Sequence, residues 1–149
     1  VKTINNEEGY LLLLGGGALL DGYKQQYGKL SNINFRGNVE NVNHYLRACD
    51  AYVSTSTSEG LPNGVLEAMA TGLPVVLSDI EQHLEIYDVN HSIGDVYEQG
   101  NEMQFAQRLI EIKNDTRSKG NAAFDCAHHN FSAKGMSEKY QELYKSFTV

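Results

Sequence analysis

The sequence predicts an α/β fold: a parallel sheet with helices on its faces. Two observations carry this. Short apolar runs alternate along the chain with helix-length amphipathic segments, the pattern of βαβ units. The first run, Tyr10 to Leu14, is closed by Gly15-Gly16-Gly17 and reads as a strand buried on both faces. There is no internal repeat and no low-complexity tract that would suggest another architecture.

The elements follow in order. Ala18 to Leu30 reads as a helix with Leu19, Leu20, Tyr23 and Tyr27 along one side. Ile33 to Arg36 is a second strand, stopped by Gly37, and Val42 to Cys49 a short helix. Ala51 to Ser54 is a third strand, leading into a polar loop that ends at Pro62. Gly64 to Thr71 is a helix ended by Gly72, with Asn63 placed to cap its start. Pro74 to Leu77 is a fourth strand, Gln82 to Tyr87 a helix, and Ser92 to Val96 a weaker fifth strand. Glu102 to Phe147 is helical in pattern, with breaks expected near Asn114, Gly120 and Asn130. No Pro/Gly-rich linker divides the chain, so one domain, 1–149, is expected.

Length and composition bound the function. A chain of 149 residues is long enough to hide roughly two-thirds of its unfolded surface. The net charge of -7, from 19 acidic and 12 basic residues, argues against a nucleic-acid binder and against a polybasic membrane-surface module. Two cysteines, Cys49 and Cys126, are too few for a disulfide scaffold, so a reduced, cytoplasmic setting is expected. The first nine residues have no basic start and no apolar core of a signal peptide.

Ligands of open parallel sheets bind at the carboxyl ends of the strands, and two loops there stand out. Gly15-Gly16-Gly17 is not a dinucleotide fingerprint, because Leu20 stands where a third small residue belongs. It reads equally as a tight turn or as backbone brought close to a ligand. The second loop runs from Ser54 through Glu59 and Gly60 to Pro62, then into a helix carrying Glu67. Free N–H groups at that helix start favour an anion such as a phosphate. Glu59 and Glu67, eight positions apart across a turn, suit the hydroxyls of one extended ligand better than the tightly held pair of a hydrolase. The simpler alternative makes Glu59 a partner of the helix dipole and Glu67 a surface residue. The apolar Ala68-Met69-Ala70 that follows weighs against it.

The string Ser58-Glu59-Gly60-Leu61-Pro62, Glu67-Ala68-Met69-Ala70 and Gly72-Leu73-Pro74-Val75-Val76 resembles the signature of retaining GT-B glycosyltransferases of the "glycosyltransferase group 1" family. The two glutamates are separated by seven residues, as that family's paired-glutamate motif requires. The resemblance extends from Tyr10 to about Val96 and takes in Phe35-Arg36-Gly37-Asn38-Val39 and Cys49-Asp50-Ala51-Tyr52-Val53. It implies a Rossmann-like sheet forming the C-terminal, donor-binding half of a GT-B fold. The donor is a nucleotide-sugar, by family habit a UDP-sugar; no separate cofactor and no metal are implied.

Carried over residue by residue, the resemblance gives Glu67 the two ribose hydroxyls, a vicinal diol that two acceptor oxygens suit. Glu59 contacts the donor sugar near the breaking bond, where its charge favours an oxocarbenium-like transition state. Backbone N–H groups along Gly60, Leu61, Pro62, Asn63, Gly64 and Val65 hold sugar or phosphate oxygens. Gly37 and Val39 contact the base, and Gly15, Gly16 and Gly17 line the same cleft.

Two departures from the family pattern matter. After Ser78-Asp79 the chain reads Ile80-Glu81-Gln82-His83-Leu84-Glu85, a variant resembling that of bacterial surface-polysaccharide transferases. His83 there reads either as a support of the cleft or, more plainly, as a packed or solvated histidine. The family's Arg and Lys for the diphosphate sit on a first strand and helix that nothing before Tyr10 supplies. A missing first strand, an interrupted sheet between Tyr10–Leu14 and Ala51–Ser54, and an upstream acceptor domain are therefore expected, with Val1 to Glu8 the tail of the first helix. Membrane contact is then expected only through that domain or a lipid-linked acceptor. The rival is a non-catalytic nucleotide-sugar-binding module of the same fold.

Other candidates are weaker. Cys126, His128 and His129 lack a fourth metal ligand, and packing or exposure is the plainer fate. The serines of the loop lack the elbow motif of a hydrolase triad. Tyr140, Leu143, Tyr144 and Phe147 form an apolar stripe expected in a core or a domain interface.

Overall fold

The computed structural model describes residues 9–147. Among the described residues, five strands and seven helices follow in the expected order, alternating up to β5: β1 Leu11–Leu14, α1 Leu20–Tyr27, β2 Ile33–Gly37, α2 Val42–Leu46, β3 Tyr52–Ser54, α3 Asn63–Ala70, β4 Val75–Ser78, α4 Glu81–Tyr87, β5 Gly94–Tyr97, α5 Glu102–Lys113, α6 Thr116–Asn130 and α7 Ala133–Ser146. A 3-10 turn, His91–Ile93, precedes β5. The family position assigned to Val1 to Glu8 lies outside the described residues.

Every ladder is parallel. β1 pairs with β2 in one sheet, and β3, β4 and β5 form a second in that order. No ladder joins β1 to β3 among the described residues. The chain divides into two compact units, the first ending at His44 and the second beginning at Tyr45. The division falls within α2, which is why no Pro/Gly-rich linker marks it.

In the first unit, β1 is not buried on both faces. Leu11, Leu12 and Leu14 are half-buried and Leu13 is exposed. A sheet of two strands has no interior strand, and α1 contributes no buried residue to cover it.

The second unit holds the buried core, centred on β4, whose four residues are all buried. Side chains alternate across a strand, so Val75 and Leu77 enter one cluster and Val76 the other. The larger cluster adds Val65 and Met69 of α3, Ile86 of α4 and Ala123, Cys126 and Ala127 of α6. Burying each such large aliphatic side chain is worth about 1.5–3 kcal/mol. Val76 packs with Tyr97 of β5 and Ile112 of α5.

Two helix ends differ from expectation. Asn63 is the first residue of α3 and does not cap it: Pro62 holds the cap position, with no side-chain bond. The turn closes instead through its backbone, the Asn63 N–H donating to the Leu61 carbonyl at 2.8 Å. Gly120 does not break the C-terminal helices but lies buried inside α6. The reason is contact: a Cβ at Gly120 would stand 2.4 Å from the Gly72 carbonyl oxygen. Gly72 itself has φ +83° and ends α3 as expected. Its N–H bonds the Met69 carbonyl at 2.9 Å, and Leu73 bonds Ala68 at 3.1 Å, the paired bonds of a Schellman end.

The α7 stripe is not core. Tyr140, Leu143, Tyr144 and Phe147 are all exposed, and the helix has no buried residue. Among the described residues no helix is long and apolar enough to cross a membrane.

Candidate functional site

In the second unit, the carboxyl ends of the three paired strands converge on one polar network. Ser54 ends β3, Ser78 ends β4 and Tyr97 ends β5. All three are buried. Parallel pairing in register, Ser54 opposite Leu77 and Ser78 opposite Tyr97, brings these ends level. The loop after β3 folds over them. Ser54 Oγ donates to Ser56 Oγ at 3.2 Å, and Ser56 Oγ donates to Glu59 Oε1 at 2.6 Å. Ser78 Oγ donates to the Ser56 carbonyl at 2.7 Å, and Gln99 Nε2 reaches the same carbonyl at 3.4 Å. The Tyr97 hydroxyl donates to the Ser54 carbonyl at 3.4 Å.

The network holds one carboxylate at the rim. Glu59 is partly exposed, its side chain 26% accessible, with Oε1 anchored by Ser56. His83, on the first turn of α4, is fully buried directly beneath. Its Nδ1 bonds the Ser78 carbonyl and hydroxyl at 3.0 and 3.1 Å, and its Nε2 lies 3.9 Å from Glu59 Oε1 without a hydrogen-bond partner. His83 is thus packed, not solvated.

Glu67 is exposed on α3. At 3.6 residues per turn Val65, Ala68 and Met69 turn inward, and Glu67 falls on the opposite side. Of the apolar neighbours, Ala68 and Met69 belong to the buried face of the same helix, while Ala70 is exposed like Glu67. Tyr52 links the two carboxylates electrically. Burial first, then the charges of Glu59 and Glu67, push its phenol above the ordinary tyrosine range.

The start of α3 offers fewer free amides than its sequence suggested. The N–H groups of Asn63 and Val65 are bonded within the turn, Val65 to the Pro62 carbonyl at 3.0 Å, and Pro62 has none. Val65 is a core side chain, and Pro62 is buried. Gly60 and Leu61 lie exposed on the turn before the helix, and a Cβ at Gly60 would meet nothing within 4 Å. Gly64 has a close neighbour of its own, the Tyr52 ring.

The remaining predicted residues belong to the first unit. Gly15, Gly16 and Gly17 follow β1 and are exposed; Gly37 ends β2, and Val39 is half-buried just after it. The two loops are held together: the Gly15 N–H donates to the Gly37 carbonyl at 2.7 Å, and Gly16 packs against the Asn38 side chain. Gly15, Gly17 and Gly37 all have positive φ, which only glycine adopts cheaply.

Cys126 is buried, while the His128 ring packs tilted against Phe124 with centroids 4.1 Å apart and His129 bonds the Asp125 carbonyl. They form no metal cluster, and no group of three or more such ligands occurs among the described residues.

Ser56, Ser78 and Tyr52 were not anticipated from the sequence. The available signal was positional: serines at the ends of two parallel strands, one of them five residues before a histidine on the next helix.

Comparison with known proteins agrees with this architecture. The O-antigen biosynthesis glycosyltransferase WbnH of Escherichia coli is 31% identical over 149 residues, covering 99% of this chain and 41% of that protein. The chain thus spans less than half the length of this relative. A glycosyltransferase structure from Rickettsia africae superposes with a TM-score of 0.83 at 22% identity, covering 95% of this chain and 41% of that one. Anabaena HepE, crystallised with UDP and glucose, superposes with a TM-score of 0.80 at 22% identity, over 93% of this chain and 41% of its own. The sequence profile described as "Glycosyl transferases group 1" matches residues 1–115, and the chain belongs to that family.

Proposed function

We propose that this chain is the donor-binding part of a retaining, metal-independent glycosyltransferase that moves a sugar from a UDP-sugar to a glycan or lipid-linked acceptor in bacterial polysaccharide biosynthesis. One observation carries the reading most: Glu59, the first glutamate of the pair, accepts from Ser56 Oγ through Oε1 at 2.6 Å while its side chain stays 26% accessible. A carboxylate so fixed can accept sugar hydroxyls and stabilise positive charge developing at the anomeric carbon without reorganising. Glu67, exposed and unencumbered, takes the ribose diol. The N–H groups of Gly60, Leu61 and Gly64 face sugar or phosphate oxygens. As the resemblance implies, Gly37 and Val39 serve the base, and Gly15, Gly16 and Gly17 serve the same ligand. The UDP complex of HepE and the O-antigen role in WbnH's name support the donor and the acceptor class.

The charge of -7 shapes the rest of the proposal. An acidic half that takes a diphosphate relies on backbone N–H groups and on basic side chains contributed from elsewhere. The first strand, its basic pair and the acceptor domain come from a longer protein, in line with the 41% of WbnH that this chain covers.

The test is calorimetry of UDP binding to the full-length protein. Glu67→Ala loses one or two charge-assisted hydrogen bonds, about 1.5–3 kcal/mol each. Unchanged affinity removes the ribose assignment. The 149 residues alone should not transfer sugar; turnover by them overturns the two-domain account.

A further inference from the structure

The fully buried imidazole of His83 has no part in the reaction as proposed above. Its Nδ1 lies 3.0 Å from the Ser78 carbonyl, which only accepts, so Nδ1 carries a hydrogen. Ser78 Oγ gives its own hydrogen to the Ser56 carbonyl at 2.7 Å and therefore also faces Nδ1 as an acceptor, at 3.1 Å. Ser78 thus fixes both the tautomer and the ring orientation. The opposite nitrogen, Nε2, is shut off from solvent, has no hydrogen-bond partner and points at Glu59 Oε1 from 3.9 Å. A buried polar atom left unpaired is costly, and such atoms persist where something is to be held. Ser56 already holds that same carboxylate oxygen at 2.6 Å.

We infer that His83 is a positioning residue for Glu59: one further proton, taken up from solvent through the partly exposed Glu59 carboxyl, makes the ring an imidazolium whose Nε2–H donates to Oε1 and clamps the carboxylate against Ser56, leaving Oε2 to the donor sugar. Closing the gap needs about 1 Å of side-chain movement to reach hydrogen-bond length. The chain of command runs from the end of β4 (Ser78) through α4 (His83) to the loop after β3 (Glu59), so three elements set one oxygen. This rests on the reading of Glu59 as the sugar-facing carboxylate.

The experiment uses the full-length transferase with UDP-glucose, UDP-galactose and UDP-N-acetylglucosamine as donors, following UDP release, with UDP affinity measured by calorimetry. His83→Leu should lower kcat about tenfold, within the range for directly coupled neighbours, and leave UDP affinity and donor KM unchanged. His83→Gln, which keeps a donor near the Nε2 position, should recover most of the loss. In a Glu59→Ala background His83→Leu should cost nothing further, because the group it acts through is gone. Wild-type kcat in His83→Leu, or an equal further loss in the Glu59→Ala background, overturns the inference. So does a His83→Gln variant that is no better and whose UDP affinity falls in step. If Glu59→Ala itself transfers normally, the sugar-facing reading of Glu59 fails and His83 falls with it; if Glu59→Ala is impaired and His83→Leu is not, only the positioning role fails.

Discussion

The phenol oxygen of Tyr52 occupies the space a side chain on Gly64 would need: a Cβ there would stand 2.5 Å from it. This contact ties the first turn of α3, which carries the second glutamate of the pair, to strand β3, which leads to the first. The glycine between the two glutamates is therefore explained within the protein by a close approach of its own chain.

Gly64→Ala should destabilise the fold by about 1–3 kcal/mol, the range for forcing an extra carbon into a packed site. Tyr52→Phe in the same chain removes the oxygen and leaves the ring carbon at 3.4 Å, an ordinary contact, so it should recover much of that loss. Urea unfolding of the two single variants and the double variant checks this. A double variant no more stable than Gly64→Ala alone refutes the steric account.

Gly120→Ala pits two effects against each other. Alanine in a helix interior is favoured over glycine by about 1 kcal/mol. Yet the new methyl would lie 2.4 Å from the Gly72 carbonyl and 3.4 Å from its carbon, and backbone cannot rotate away as a side chain can. Overpacking should win, with a net loss of about 1–3 kcal/mol by thermal or urea unfolding. A stabilised variant would mean that α6 has room to shift.

These two glycines show what the sequence displays and what it hides. Alternation, the position of every strand and the Gly72 helix end were legible because local rules set them: apolar runs of strand length, 3.6-residue periodicity, and a residue with φ +83° that only glycine fills cheaply. Gly120 was misread as a break because its cause is nonlocal, a carbonyl 48 positions away. The pair of glutamates was legible as a motif, but the support of Glu59 was not. Ser56, Ser78 and His83 become neighbours only when β3 and β4 pair in parallel. The exposure of β1 and of the α7 stripe was equally hidden, since apolar pattern records the wish to be buried and not the surface that does the burying.

The two thiols should be slow to react. Burial raises the Cys126 thiol, with a smaller opposing effect from Asn130, and burial followed by the charge of Asp50 raises Cys49. Less thiolate is then present at neutral pH than for a free cysteine. Native protein should take up a chromogenic disulfide reagent at both sites far more slowly than protein in urea. Native labelling at the rate of a model thiol would overturn the burial assigned to that site.

Alkaline pH should unfold the protein partly through Tyr52. In the unfolded chain its phenol ionises near pH 10, about the ordinary tyrosine value. In the native state burial, then Glu59, then Glu67, push that ionisation higher. Between the two values the unfolded state binds fewer protons, so stability falls as pH rises; below about pH 10 the contribution is fully present. Tyr97 acts in the same direction, through burial and then Asp79. Tyr52→Phe should flatten the loss, and Glu59→Gln should lower the Tyr52 ionisation more than Glu67→Gln, since the larger of the two charge effects is that of Glu59. Phenolate absorbance followed against pH in the native state, beside urea unfolding across the same range, measures both. A Tyr52 that ionises with the exposed tyrosines would show that neither carboxylate acts on it, and would separate the two glutamates electrically.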